Sequence, residues 1–238
     1  MTAEQLNADF SARAICDTNA MEWQPSPAPG IWRKRLELSG PAESGRVTSL
    51  VRFDPGAQFP EHGHPEGEEI LALDGTFSDE HGDFPKGIFV LNPDGTRHAP
   101  YSKDGCLLLV KLRQYPGKER KHVHIDTLSA PWRDTGVPGF EQLPLFESES
   151  DAETISLFRL APGCEVPEHG HPGGEEIFVL EGELEVHIEG REPVQLGVHD
   201  SIYFDSGMGH LYVSAGKKDT KIIVVCAHSS AARNNVQT

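Results

Sequence analysis

A thirteen-residue stretch dense in histidine, proline and glycine occurs twice in this chain. Gly56-Ala57-Gln58-Phe59-Pro60-Glu61-His62-Gly63-His64-Pro65-Glu66-Gly67-Glu68 returns 107 residues later as Gly163-Cys164-Glu165-Val166-Pro167-Glu168-His169-Gly170-His171-Pro172-Gly173-Gly174-Glu175. When residues 53–77 are laid over 160–184, 14 of 25 positions are identical, and the identities fall on Pro, Gly, His and Glu rather than on the apolar filler. Duplicated chemistry of this kind selects two similar domains over one large one for a chain of 238 residues. Each half holds roughly 100 to 120 residues, enough for a core of its own. The expected domains are residues 1–125, with an N-terminal arm, and 126–238.

The repeated residues converge on a point. In an extended segment His62 and His64 share one face, because side chains alternate along a strand. Pro65 and Gly67 then turn the chain, and Glu68 opens an apolar run, Ile70-Leu71-Ala72-Leu73. That run is expected to pair antiparallel with the first segment and bring the carboxylate beside the two rings. His98 is the expected fourth donor, since the strand Gly87 to Leu91 ends in a Pro93-Asp94-Gly95 turn that aims the ring back. His169, His171 and Glu175 repeat the first three in the second half. Two imidazoles and a carboxylate at this spacing read as a metal site.

The rest of the chain reads as short strands. Trp23 to Gly30 is too proline-rich for helix, and alternating runs such as Val47 to Phe53, together with Cys106 to Leu112, signal strands. Trp132 to Gly139 repeats the spacing of Trp23 to Gly30, Leu145 aligns with Leu36, and Ile155 to Leu160 takes the place of Val47 to Phe53. The repeat therefore covers whole domains. Residues 114–130 are polar and basic and are the expected connector. Residues 1–20 show no period and are expected to be an arm or a short pairing strand, and the tail from Ser229 is polar. Many short strands with Gly/Pro turns imply an all-β sandwich or barrel, and a barrel also removes exposed strand edges.

Charge and cysteine usage exclude several partners. With 37 acidic and 21 basic residues the formal charge is 21 − 37 = −16. Such a surface repels a phosphate backbone across a Debye length of about 8 Å, so nucleic acid is not an expected partner. Cys16, Cys106, Cys164 and Cys226 are widely spaced with no C-x-x-C pair, which fits free thiols in a reducing compartment. No run approaches the roughly 18 apolar residues of a membrane span, and the N-terminus lacks a basic, apolar leader. A soluble, cytoplasmic protein with no membrane partner is expected.

The repeated stretch resembles cupin motif 1, G-x5-H-x-H-x3-E-x6-G, through Gly56, His62, His64, Glu68 and Gly75, and again through Gly163, His169, His171, Glu175 and Gly182. Gly87, Pro93, Gly95 and His98 resemble motif 2, with Ser102 where the pattern ends in Asn. The second copy of motif 2 is eroded: Gly207 and His210 keep their places, while His199 and Asp205 replace the first Gly and the Pro. His210 is the fourth donor that the resemblance implies there. Residues 23–115 are most similar to the ChrR-like cupin family, through Gly67-Glu68-Glu69, the Phe77-Ser78-Asp79-Glu80 turn, Asp94 to Pro100 and Gly105-Cys106. No H-x3-C-x2-C signature accompanies these residues, so the anti-sigma activity of that family's namesake is not expected. The resemblance implies two tandem cupin jelly-roll β-barrels, each holding one divalent metal ion, and no particular reaction.

Three neutral imidazoles and one carboxylate leave a divalent ion with a net charge of +1 and, if it is octahedral, two open positions. Iron, manganese or nickel there could support oxygen chemistry, whereas zinc would act as a Lewis acid or a staple. Two readings follow. One is a metal-dependent oxygenase acting on a small oxygen-rich or dicarbonyl-like molecule; the alternative is a non-catalytic ChrR-like metal-dependent sensor or ligand-binding protein. A third assigns chemistry to one barrel and a structural role to the second. Cupin barrels associate through strand exchange and sheet faces, so the resemblance also allows a homodimer. His81, His122, His124, His187 and His228 are expected to be surface or satisfied core groups, and Glu69 and Glu176 outward or salt-bridged. Phe59, Phe89 and Tyr101 are candidate walls of the first cavity and Phe178, Tyr203 and Tyr212 of the second. Cys164 is expected to be buried and inert.

Overall fold

The computed structural model describes residues 4–114, 120–147, 153–204 and 208–227. Among them there is no helix. The strands of the first half of the chain are β1 (Glu4–Leu6), β2 (Ala14–Cys16), β3 (Gln24–Pro25), β4 (Ile31–Gly40), β5 (Arg46–Phe53), β6 (His62–His64), β7 (Glu68–Asp79), β8 (Gly82–Pro85), β9 (Ile88–Asn92), β10 (Thr96–His98), β11 (Cys106–Leu112) and β12 (Val123–Asp126). Those of the second are β13 (Arg133–Asp134), β14 (Phe140–Phe146), β15 (Glu153–Leu160), β16 (Glu165–His169), β17 (Glu175–Glu181), β18 (Leu184–Ile188), β19 (Val194–Leu196), β20 (Ser201–Phe204), β21 (His210–Ser214) and β22 (Thr220–Ala227).

Contacts divide the chain into two units, residues 1–8 with 21–130 and residues 9–20 with 131–238. In the first unit the main sheet runs β1-β4-β5-β11-β7-β9-β12, and β10-β6 form a small second sheet. In the second unit the sheets run β13-β14-β15-β22-β17-β20-β2 and β16-β21-β18-β19. The N-terminal stretch supplies a pairing strand to each unit, with Gln5 opposite Ser39 and Ile15 opposite Ile202. The expected connector contains a strand of its own, β12, with Ile125 opposite Phe89. Pro116, Gly117 and Lys118 of that connector, Asp205 and Gly207 of the eroded motif, His228 and the polar tail lie outside the described residues.

The alternating runs form strands because each can turn one face inward. In the second unit Ile177, Val179, Leu184, Val186, Ile222 and Val224 are almost wholly buried in one cluster. In the first, Ile31, Ile70, Ala72, Val90 and Leu108 form the equivalent core. Full burial of one such aliphatic side chain stabilises the fold by about 1.5–3 kcal/mol.

One expected pairing is corrected. The strand that carries His62 and His64 pairs with β10, not with the run after Glu68: His62 lies opposite His98 and His64 opposite Thr96. Glu66 and Gly67 both have positive φ, 62° and 79°, and this corner sends the chain out of the small sheet and into the large one. Glu68 then pairs with Asn92 and Leu112. The second unit repeats the arrangement, with His169 opposite His210 in the small sheet and Glu175 opposite Phe204 and Cys226 in the large one. Donors from two sheets are thereby brought to one point between them.

Candidate metal centres

In the first unit β6 and β10 place His62 and His98 directly across from each other, and alternation puts His64 on the same face. The three ring centroids lie 4.7, 5.0 and 4.7 Å apart, and one nitrogen from each ring falls within 4.8 Å of the others. Glu68 stands beside two of the rings, its Oε2 being 3.5 Å from His64 Nε2 and 3.7 Å from His98 Nε2. All four expected residues are thus brought together, with the rings as the compact set and the carboxylate slightly withdrawn.

Neighbouring groups orient these side chains. His62 Nδ1 donates to the Pro60 carbonyl at 2.9 Å, and His98 Nδ1 donates to Asp79 Oδ2 at 3.0 Å. In both rings the second nitrogen, Nε2, is left as a lone pair facing the cluster. Asn92 holds Glu68 by donating to Oε2 at 3.0 Å. His64 Nε2 and His98 Nε2 are buried without a hydrogen-bond partner. Two orphaned ring nitrogens cost free energy unless a cation or proton satisfies them, so the donor set fits a divalent metal.

Electrostatics agree with that fit at His62 and His64, while Glu68 and His98 are held towards their protonated forms until a cation displaces the proton. Burial, aided by the nearby His98 and His62 rings, lowers the pKa of His64 to about 3, and burial also lowers that of His62. Both therefore stay neutral and able to ligate near neutral pH. Burial pushes the Glu68 carboxyl up. Burial acts against a charged His98, but its hydrogen bond to Asp79 together with the nearby charges of Glu68, Asp79 and Glu80 outweighs it and raises that ring.

The second unit gathers its four expected residues more tightly. His169, His171, Glu175 and His210 each place a donor atom within 4.8 Å of the others. Glu175 Oε2 is 3.0 Å from His171 Nε2, 2.9 Å from His210 Nε2 and 4.0 Å from His169 Nε2. Around an octahedral ion with ligands at about 2.1 Å, adjacent donors stand about 3.0 Å apart and opposite ones about 4.2 Å. His210 Nδ1 already donates to the Met208 carbonyl at 3.0 Å, and His169 Nδ1 to Pro167 at 2.8 Å. A neutral His210 would set a lone pair against the carboxylate, an arrangement that calls for a proton or a cation between them. Burial would raise the Glu175 carboxyl, but hydrogen bonds from His171 and His210 bring its pKa down to about 2.

The two centres differ in what surrounds them. In the first, a cavity of about 300 Å³ is lined by His62, His64, Glu68 and His98 together with Phe59, Phe77 and Leu108. In the second, the Tyr212 hydroxyl lies 3.1 Å from His169 Nε2 and 3.0 Å from His210 Nε2 and donates to Glu175. Cys226 Sγ is 3.7 Å from His171 Nε2.

Of the expected aromatic walls, Phe59 lines the first cavity, while Tyr101 is 43% exposed and Phe89 is packed in the core. Phe178 stacks on His199, and Tyr203 donates to the Phe10 carbonyl at 2.7 Å. Cys164 is buried, with its thiol pushed up by burial, as expected of an inert cysteine. Glu69 is also buried, 3.8 Å from Arg120. His81, His122 and His124 are exposed, and His187 is half-buried against Glu185. The sequence reading missed Asp79, Asn92 and Cys226 as neighbours of the centres, because strand register rather than chain spacing brings them there.

Comparison with known proteins gives two family matches: residues 11–116 match the ChrR Cupin-like domain, and residues 156–226 match the Cupin domain. No curated protein matches the sequence. Among solved structures, a candidate dioxygenase from Nostoc punctiforme superposes with a TM-score of 0.71 at 14% identity, covering 96% of this chain and 94% of that one. Protein Ylba from E. coli superposes with a TM-score of 0.70 at 15% identity, covering 92% of each chain. A deletion mutant of Bacillus subtilis oxalate decarboxylase gives 0.67 at 15% identity, covering 91% of this chain and 77% of that one. Mn(II) centres are described for that decarboxylase. At such identities the likeness is one of fold.

Proposed function

Because the chain belongs to the cupin superfamily, with one cupin domain in each half, we propose that it is a metal-dependent enzyme whose reaction takes place in the first barrel. The proposed activity is that of a divalent-metal-dependent oxygenase on a small oxygen-rich or dicarbonyl-like molecule. His62, His64, Glu68 and His98 hold the ion there, and His169, His171, Glu175 and His210 hold a second ion in the other barrel. The observation that carries this reading is the cavity of about 300 Å³ that all four residues of the first set line. A donor set that faces open space can take a ligand as well as an ion.

When bound, the ion would supply Lewis-acid polarisation of chelating oxygens and, if it is iron or manganese, redox chemistry with O₂. The chain's own residues do the rest. Asp79 and the Pro60 carbonyl fix His98 and His62 with Nε2 towards the centre, and Asn92 keeps Glu68 aligned. Phe59, Phe77, Ile70 and Leu108 exclude water from the space in front of the rings, which strengthens electrostatic interactions inside it. In the second barrel the Tyr212 hydroxyl occupies space beside three of the donors, which supports a structural or modulating role for that centre.

The test is oxygen consumption by protein reconstituted separately with Fe²⁺, Mn²⁺, Ni²⁺ and Zn²⁺, against a panel of 1,3-dicarbonyls and hydroxy acids. Turnover that follows one redox-active metal and disappears in His64→Ala is expected. Turnover with the chelated protein, or none with any metal, would remove the enzymatic reading. The match of residues 11–116 to a ChrR Cupin-like domain favours a second reading, a metal-dependent ligand-binding or sensing protein, which the second outcome would leave in place.

A further inference from the structure

The strand β4 alternates in an unusual way for a barrel wall. Trp32 and Lys34 lie on one face, where Trp32 Nε1 donates to Asp54 at 2.8 Å and Lys34 sits 4.6 Å from the Trp23 ring centre. Ile31, Arg33 and Arg35 lie on the opposite face and line the cavity. Their cross-strand partners Phe53, Val51 and Ser49 line it too, so the register confirms which face is inward. Two guanidinium groups therefore stand on the wall of a mainly apolar space, with side chains only 18% and 13% exposed. Arg113 lines the same space. Among the described lining residues, the carboxylates are Glu68, already in the metal centre, and Glu43.

Glu43 comes from the turn between β4 and β5, and its side chain is 52% exposed. It accepts a forked pair of hydrogen bonds from Arg33, each of 2.8 Å, and a further one of 3.2 Å from Arg35. Arg35 also donates to the Ala42 carbonyl at 3.0 Å, while Arg33 Nε is buried with no partner. The cations are thus built into the wall, and the anion is brought to them by a half-exposed turn. Because Glu43 sits on a turn with its side chain half in solvent, an incoming carboxylate would exchange with it for the same fork and leave neither guanidinium unpaired. Planar forked recognition by arginine suits a carboxylate in particular.

We propose that Arg33 and Arg35 form a carboxylate subsite of the first-barrel cavity, occupied by Glu43 in the ligand-free chain and taken over by the carboxylate of an apolar-bodied ligand. This rests on the first barrel being the working site and narrows its dicarbonyl-like ligand to one that carries a carboxylate on an apolar body. The cavity of about 300 Å³ has the volume of roughly ten waters, which admits a compact acid with its apolar body against Val51, Phe53, Ile70 and Leu108. The negative charge of the chain as a whole does not oppose such a ligand, because the charge local to this wall is positive.

The test is calorimetric titration of the full-length, metal-loaded protein with benzoate and hexanoate, using benzamide and hexanamide as neutral counterparts. Saturable binding of at least one acid is expected, tenfold or more weaker in Arg33→Gln and Arg35→Gln and tighter in Glu43→Gln, with the amides indifferent to all three. Unchanged acid binding in both arginine variants would overturn the subsite and place the acids on the metal alone. Weaker binding in Glu43→Gln, or none in either wild type or Glu43→Gln, would also overturn it. Glu43→Gln lies in an exposed turn, so it supplies the reading even if an arginine variant fails to fold. Metal-dependent turnover without acid binding would sink this subsite and leave the proposed function standing; acid binding without such turnover would do the reverse.

Discussion

His98 Nδ1 donates to Asp79 Oδ2 at 3.0 Å, so the last strand of the small sheet has its ring orientation fixed by the far end of β7 in the large one. A partner of this kind sets the tautomer of a ligating histidine and raises its basicity. Asp79→Ala is expected to weaken metal binding in the first centre by about 10- to 100-fold while leaving the second unchanged. Competition with a fluorescent chelator reads both affinities, and equal loss at both centres would contradict the assignment.

Metal content should divide between the two centres. Wild-type protein is expected to hold two ions per chain, His62→Ala and His169→Ala one each, and the double variant none. Elemental analysis after gel filtration checks this. Stoichiometry unchanged by either substitution would remove both centres.

The pH dependence of the metal-free protein carries a sign that can be worked out. His64 has a folded pKa of about 3 against an ordinary 6.5, so between these values the unfolded chain binds more protons, and stability falls as the pH drops through that window. Glu68 and His98 are raised and act in the opposite direction over their own windows. His64→Gln isolates the first effect. Relative to this variant, the wild type should lose a few kcal/mol between about pH 6.5 and pH 4, read by urea unfolding at stepped pH. A constant difference across that range would contradict it.

The repeated glycines are not equivalent. A Cβ on Gly75 would stand 2.2 Å from the Gly105 carbonyl oxygen and 2.9 Å from Cys106 Cα, where β7 passes β11, whereas one on Gly56 would meet nothing within 4 Å. Both have positive φ, 68° and 78°. Gly56→Ala is expected to cost about 1 kcal/mol from backbone strain alone, and Gly75→Ala more than about 3 kcal/mol. Denaturant midpoints compare them directly.

Tyr212→Phe removes a buried donor from Glu175. The metal-free protein is expected to lose about 1–3 kcal/mol, and the metal-loaded protein less, because the ion then satisfies the carboxylate. Melting temperatures with and without metal test this, and identical losses in both forms would show that the hydroxyl acts elsewhere.

Much of the site was legible before any coordinates. His-x-His places two rings on one face whatever the strand pairs with, and the second copy of the stretch pointed to a matching carboxylate in each half. The local reading failed at the partner of β6. A short turn after His64 suggests a hairpin, but positive φ at Glu66 and Gly67 diverts the chain into the other sheet, and β10 takes the vacant edge. Asp79, Asn92 and Cys226 could not be read as neighbours of the centres, because their approach depends on register across β7, β9, β17 and β22.

The sequence by itself determined the kinds of donor, their pairing by alternation and the fact that they occur twice, since these follow from side-chain chemistry and a period of two. Only the tertiary structure decided which face of each strand is inward. Alternation says that Arg33 and Arg35 share a side but not which side, and closure of β4 against β5 turned both towards the first centre's cavity. It also decided that Tyr212 stands among the donors of one centre while open space fronts the other, a difference set by how two sheets meet and not by any spacing along the chain.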